Sequence, residues 1–257
     1  MAITSAPASD PSMSDFPLFS VVTAARNARS ELLRTARSLA SQTLRDFEWI
    51  VIDGASTDGS QELLSTLEGV TRYLSEPDKG IADAWNKGIA QARGRQVLIL
   101  NAGDTYDSGM LAAMAPAVDD DHITCCHARL LTEGGIEAGW FPAIPSRLWR
   151  GMHLPHNWCA VPRRFYLAYG AYQLMPHAMD YEWFHRFWRK HGTAGFRIVD
   201  ETLGAYYLGG HSDNQAAAGF SANERILVQH GMSPLLAKLL RLAYTLRHRR
   251  AQARRKP

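Results

Sequence analysis

Three short uncharged runs, each closing on a polar cluster, constrain the fold more than any other feature of this chain. They are residues 19–23 (FSVVT), 49–52 (WIVI) and 97–100 (VLIL). The clusters that follow are Thr23/Asn27, Asp53/Ser56 and Asn101/Asp104. Helical segments separate the runs. From about Ser30 to Thr43, Leu32, Leu33, Ala36, Leu39 and Ala40 repeat with the spacing of one core-facing helix stripe. A second helix is expected near Asp58, with Ser56 placed to cap it. A third is opened by the acidic, glycine-containing loop of residues 75–80 and ends at Gly94. Strands alternating with helices predict an α/β fold with a mostly parallel central sheet flanked by helices. Strand carboxyl ends then share one edge, where open α/β sheets bind ligands, so the three clusters would line a single crevice. Asp104 follows the least polar of the runs. It is either a turn aspartate or a carboxylate delivered to a metal or a sugar hydroxyl.

The segments FSVVTAARN (19–27), SLASQTLRDFEWIVIDGASTDGS (38–60), EPDKGIADAWNKGIAQARG (76–94) and LILNAGD (98–104) together resemble the family 2 glycosyltransferases. The likeness is strong over residues 19–104 and weaker over about 150–212. It implies the GT-A nucleotide-sugar-binding fold, and a place among the small bacterial enzymes of surface-polysaccharide assembly.

The chain has 257 residues, enough for one large domain with an appendage. Residues 1–15 are polar and lack an apolar stretch, so they read as a disordered leader and not a signal peptide. No run approaches the roughly 18 apolar residues of a membrane helix. Cys125, Cys126 and Cys159 have no C-x-x-C spacing, and reduced thiols in a cytoplasmic protein are expected. Cys125-Cys126-His127 lacks the second ligand pair of a zinc site.

The net charge of +3 hides an asymmetry: up to Glu224 there are 19 basic against 25 acidic residues, a net of −6, and beyond it nine basic residues and no acid. This divides the chain into the leader, a transferase domain over 16–222 (nucleotide-sugar half 16–116, acceptor half 117–222), and a basic amphipathic helical tail over 223–257. The tail, with Leu235, Leu236, Leu239, Leu240, Leu242, Ala243 and Leu246 on one face, is expected to hold the protein peripherally on an anionic membrane at the cytoplasmic side. The alternative is that these leucines pack on the body.

In the acceptor half, residues 122–126 read as a strand and 128–140 as a hairpin turning at Gly134-Gly135. Residues 141–162 read as a long functional loop, 163–169 as a short helix, and 180–191 as a clear helix. Two strands follow, 196–199 and 203–208. A helical stretch from about Asn223 breaks near Pro234.

The resemblance distributes roles. Thr23 and Asp53 hold base and ribose, with Asn27, Ser56 and Asn101 in the same clusters. Asp83 and Asn86 on the third helix either line the crevice or form a solvated face. UDP-sugars are the favoured donors, although Gly54 stands where the family often has a second acid. The metal motif, usually Asp-x-Asp, is Asn101-Ala102-Gly103-Asp104 here. That leaves Asp104 as its one carboxylate for Mg²⁺ or Mn²⁺, with His211 as a further ligand. Asp180, at the start of its helix, is the base for an inverting transfer, or else an N-cap aspartate; Glu182 is the runner-up. His156, Trp158 and Glu182 belong to the acceptor side, a glycan or lipid-linked molecule. Trp149, Trp158 and Tyr172 are sugar-stacking or core aromatics. Competing readings are a sugar nucleotidyltransferase, for which residues 24–29 lack a glycine, and a non-catalytic member of the fold. Nucleic-acid binding is disfavoured by the acidic body.

Overall fold

The computed structural model describes residues 16–209 and 215–255. The three apolar runs are strands β1 (Phe19–Ala25), β2 (Phe47–Asp53) and, after a shorter β3 (Arg72–Ser75), β4 (Gln96–Ile99). Between them lie α1 (Arg29–Ala40), α2 (Ser60–Leu64) and α3 (Ile81–Gln91). The order in the sheet is β3-β2-β1-β4, all parallel. The sheet continues through the second half of the chain. There, β5 (Thr105–Tyr106) and α4 (Met110–Met114) precede the hairpin β6 (Ile123–Leu131) and β7 (Glu137–Phe141). Then come β8 (Cys159–Pro162), α5 (Arg163–Tyr169), α6 (Met179–His191) and β9 (Phe196–Tyr207). β8 runs antiparallel between β4 and β6, β9 pairs parallel with β6, and β5 closes the edge antiparallel to β9. The result is a mixed sheet in which β1–β4, β6 and β9 share one direction.

Alternation along the strands splits the core. Val21, Trp49, Val51 and Leu98 pack under Leu32, Ala36 and Leu39 of α1. Val22, Ile50, Ile52 and Ile99 pack under Ala82 and Trp85 of α3, together with Trp183, Phe184 and Phe187 of α6. The α1 stripe is narrower than its sequence implied. Thr35 is buried in it, while Ala40 is exposed and Leu33 only half-buried.

Ser56 does not cap α2. Gly59 stands at the cap with φ +86°, and Asp58 accepts from the Ser60 amide at 3.0 Å. Strand β3, strand β5 and helix α4 carry too few residues for a period to be read from sequence. The two strands expected over 196–208 are one long β9. The last helical stretch is α7 (Ala216–Gln229) and α8 (Pro234–Arg255), parted just before Pro234 as expected.

At the amino end of the sheet, away from the polar clusters, Glu48 is buried. It accepts from Ser20 Oγ (2.6 Å) and the Arg93 amide (2.6 Å) and pairs with Arg72. This holds the α3–β4 turn against β1. A Cβ on Gly94 would stand 2.6 Å from the Phe19 carbonyl carbon and the Ser20 amide. Both are backbone atoms of a central strand and cannot give way. Gly94→Ala is therefore expected to cost about 1–3 kcal/mol, the usual range for overpacking, read as a lowered Tm. An unchanged Tm would mean that the turn is not held as described.

Candidate active site

The loops after β1 and β2 are laced together. Asn27, in the left-handed region at φ +49°, donates its amide to Ser56 Oγ (2.7 Å), and its side-chain oxygen accepts from the Thr57 amide (2.9 Å). Asp53 is fully buried at the end of β2. It accepts from the Ser56 amide (3.0 Å), the Ser56 hydroxyl and Ser75 Oγ (2.6 Å). Asp53, Asn27 and Ser56 are thus brought together as one preorganised wall. Thr23 is not part of it. Its side chain lies on the α1 face of the sheet, and its hydroxyl accepts from Trp49 Nε1 at 2.9 Å.

At Gly54 a Cβ would meet the tip of the half-buried Asp78 side chain, which can swing aside. The loop after β3 brings Asp78 against the end of β2, next to the place where the resemblance leads one to expect a second acid. Asp78 went unassigned in the sequence. The acidic loop was legible, but nothing local says that it folds back onto β2.

After β4 the chain turns sharply through Asn101–Asp104. Gly103 has φ +101°, so an acid at that position of the metal motif would be strained. Thr35 of α1 clamps the turn, accepting from the Gly103 amide (3.0 Å) and donating to the Asp104 carbonyl (3.1 Å). The Asp104 side chain points inward and is 6% exposed. It accepts from Asn157 Nδ2 and from the Tyr207 amide (3.3 Å). Burial pushes its carboxyl up to about 7, against the pull of those donors and of the Arg34 guanidinium. Arg34 lies over the Tyr207 ring (4.2 Å) and reaches the Gly103 carbonyl (3.4 Å), which puts a fixed cation beside the turn.

Asn157 is the hub that the sequence did not reveal. It sits between His156 and Trp158 in a 3₁₀ turn (His156–Trp158), and only that turn tells which of the three faces the crevice. Its amide joins Asp104 to Asn101, whose Nδ2 lies 3.4 Å from Asn157 Oδ1, and its carbonyl accepts from Tyr106 OH at 2.7 Å. Asn101 in turn accepts from Trp85 Nε1 (3.0 Å). Trp158 points the other way. It is 1% exposed in the core, where Gly204 leaves room for it, so it presents no face to a sugar.

His156 faces a second group. Its ring packs edge-on to Trp85 (4.8 Å) and Phe184 (5.6 Å), and Nε2 lies 2.9 Å from Tyr172 OH. Burial lowers the imidazole to about 4, and the charge that opposes this is that of Asp180. Asp180 also acts on the Tyr172 hydroxyl. It stands in the first turn of α6 but is not the cap; that place is taken by Ala178, at φ +61°. Among the described residues Asp180 makes no hydrogen bond or ion pair, and it is half-buried. Its neighbour Glu182 is buried and paired with Arg186 (3.0 Å) and Gln173 (3.2 Å).

Two further candidates have structural tasks. Asp83 accepts from the Lys79 amide (3.0 Å) and pairs with Lys87 (3.3 Å), which holds its carboxyl below the usual range. Asn86 exchanges two hydrogen bonds with the Tyr172 backbone (2.9 and 3.0 Å), fixing the wall that carries His156 and Tyr172. His211 lies outside the described residues. No group of three or more His, Cys, Asp and Glu is poised for a metal among the described residues. The oxygens gathered after β4 still suit Mg²⁺ or Mn²⁺. Asp104 has the side-chain amides of Asn101 and Asn157 near it, and such ions keep several waters or phosphate oxygens as ligands.

The sequence profile of glycosyl transferase family 2 matches residues 20–186. Over 100 residues the chain is 35% identical to the putative teichuronic acid biosynthesis glycosyltransferase TuaG of Bacillus subtilis, which is 37% of this chain and 39% of that protein. The chain thus matches about two-fifths of that relative's length. Among solved structures it is similar to Staphylococcus aureus TarS 1-349 in complex with UDP-GlcNAc, with TM-score 0.64 and 14% identity over 90% of this chain and 72% of that one. It is also similar to the mannosyltransferase PcManGT of Pyrobaculum calidifontis in complex with GDP-Man and Mn²⁺. There the TM-score is 0.65 and the identity 19%, over 95% of this chain and 75% of that one. These likenesses establish the GT-A fold.

Proposed function

The chain belongs to glycosyl transferase family 2, and from that premise we propose that it moves a sugar, with inversion, from a nucleotide-sugar donor to a glycan or lipid-linked acceptor of surface-polysaccharide assembly. The observation that carries this reading is the turn His156-Asn157. Asn157 is bonded to Asp104 at the strand-end crevice, and His156 lies in the field of Asp180. One dipeptide therefore links two carboxylates, Asp104 at the strand-end crevice and Asp180 at the head of α6, one for a donor site and one for an acceptor site.

Asn27, Asp53, Ser56 and Asp78 supply the nucleoside end, with UDP-sugars favoured. Asp104, with Asn157 and Asn101 beside it, would hold Mg²⁺ or Mn²⁺. Such an ion, when bound, neutralises the charge that develops on the departing diphosphate. Arg34 adds a fixed cation on the same side. Asp180, half-buried and without a hydrogen-bond or ion-pair partner among the described residues, takes the acceptor hydroxyl's proton as the bond to the anomeric carbon forms. The neutral His156 and Tyr172 place hydrogen-bonding groups beside Asp180 without a charge that would quench it. Release of nucleoside diphosphate from a panel of UDP-, GDP- and dTDP-sugars with Mg²⁺ or Mn²⁺ tests this reading. Turnover of at least one donor is expected. If none turns over while the folded protein binds a nucleotide sugar, the reading becomes that of a non-catalytic member of the fold.

The protein would act peripherally on the inner face of a membrane. No described helix is long and apolar enough to cross one. α8 packs on the body through Ala237, Leu240 and Tyr244. On its opposite side, Leu235, Leu239, Leu242 and Leu246 form a stripe 69%, 54%, 43% and 55% exposed. Lys238, Arg249 and Arg250 are exposed on the same helix. Two copies of this stripe would bring like charges together, whereas an anionic surface receives both leucines and cations, at about 1 kcal/mol per basic residue. Co-sedimentation with anionic vesicles is expected at low salt, weakening as salt rises and lost in Leu239→Glu/Leu242→Glu. Failure of the wild-type protein to pellet at low salt rejects the membrane role.

A further inference from the structure

The segment between the hairpin and β8 begins with a 3₁₀ turn, Pro145–Arg150, whose Trp149 shares a cleft with Leu236 of α8. Just after it, His153 Nε2 lies 2.8 Å from Tyr244 OH of α8. Gly151 runs so close to the Tyr244 ring that a Cβ there would meet it at 3.3 Å. Arg147 and Arg150 come to this seam from the turn, and Arg247 from α8, one helical turn beyond Tyr244. Burial holds the His153 imidazole down at about 4, and the charges that add to it, and that act on Tyr244, are these guanidiniums. None of the arginines has an ion-pair partner among the described residues, and Arg150 Nε is buried with no hydrogen-bond partner at all. Arg72 and Arg186, for example, each meet a carboxylate. At this seam three guanidiniums act on one His153–Tyr244 pair with no carboxylate against them among the described residues, which leaves a place for an anion.

The surroundings say which kind. The Arg150 guanidinium lies 5.9 Å from the ring centre of Trp149, which is 40% exposed. Trp149 forms, with Leu227, Met232 and Leu236, the apolar wall of a cleft of about 340 Å³ between α6 and the turn into α8. The exposed leucine stripe lies on the same helix α8. Charge for an anion and an apolar channel for a chain thus meet at Trp149. The place is also tied to the chemistry: Tyr181, next to Asp180, donates its hydroxyl to the Leu148 carbonyl at 2.8 Å.

We propose that Arg147, Arg150 and Arg247 bind the phosphate of a lipid-linked acceptor, with Trp149 and the adjoining cleft holding the first part of its chain. This deepens the acceptor reading above and rests on it for the word acceptor. Guanidiniums match phosphate oxygens in bidentate geometry. The site would present whatever sugar or hydroxyl the phosphate carries toward the helix of Asp180.

The test is a binding titration of the full chain without donor, using farnesyl phosphate below its micelle concentration, farnesol and inorganic phosphate as probes. Farnesyl phosphate is expected to bind, and the other two to bind far more weakly. Arg147→Gln/Arg150→Gln/Arg247→Gln should weaken it about tenfold or more. Arg37→Gln/Arg45→Gln/Arg163→Gln, which removes the same charge from exposed positions of the body that hold no ligand in this account, should leave it unchanged. Arg247→Gln alone, at an exposed position, should give a partial loss and guards against misfolding of the triple variant. Equal loss in both triple variants, or equal binding of inorganic phosphate or farnesol, overturns the proposal. Because no donor is present, failure here with nucleotide-sugar turnover intact rejects the lipid site alone. Binding of farnesyl phosphate with no turnover of any donor rejects the transferase reading instead.

Discussion

Asp180→Asn is expected to leave the protein folded and donor binding nearly intact, while kcat falls by roughly 10²–10⁴, the usual worth of a general base. The structure makes this a clean substitution. Asp180 caps nothing and pairs with nothing among the described residues, whereas the neighbouring Glu182 is bound to Arg186 and Gln173. The amide keeps the side chain's shape in the first turn of α6 and removes only its capacity to take a proton. Transfer measured at saturating donor and acceptor separates the roles. If the variant keeps its kcat and loses nucleotide affinity, Asp180 belongs to the donor site and another group is the base.

Asp104→Asn and Asp104→Ala are expected to lower transfer by roughly 10³-fold or more, since the charge on the departing diphosphate would lose its stabilising site. Both should also weaken metal-dependent nucleotide binding. The two variants differ in stability. An asparagine side chain at this position can still accept from the Asn157 amide or the Tyr207 backbone, whereas alanine leaves both donors without a partner in a buried place, a loss of about 1–3 kcal/mol. The asparagine turns its own N–H toward one of the two donors, so that variant is expected to melt between the alanine variant and the wild type, with transfer lowered as much. Undiminished turnover in it, with Mg²⁺ or Mn²⁺ present, would show that the carboxylate is not needed.

The parallel half of the fold was legible because its strands are apolar runs bounded by turn residues and its helices carry the 3.6 period. Asp53 and Asp104 could be placed at one edge for the same reason: strand direction fixes which end of each run faces the crevice. What failed was orientation in short or irregular segments. His156, Asn157 and Trp158 are consecutive, and no periodicity says that the asparagine meets Asp104 while the tryptophan enters the core. Thr23, one position from residues of the opposite face, fell to the α1 side of the sheet because alternation along β1 puts it with Val21 and Ala25. Asp83 and Asn86 were placed on the right helix. Their partners, Lys79 with Lys87 and the Tyr172 backbone, come from loops whose course sequence does not encode locally. The tail's leucines divide between burial and exposure within one helix. Leu240 packs on the body and Leu239 faces out, a separation that the 100° step between neighbouring residues makes and that composition cannot.

Calorimetric titration of the protein with UDP-, GDP- and dTDP-sugars, with Mn²⁺ or Mg²⁺ and with a chelator in its place, tests the central claim most directly. The account predicts saturable binding of at least one nucleotide sugar, strengthened by the ion, with the ion's contribution lost in Asp104→Ala. Absence of binding for every donor, with the ion present and the protein folded, would contradict it.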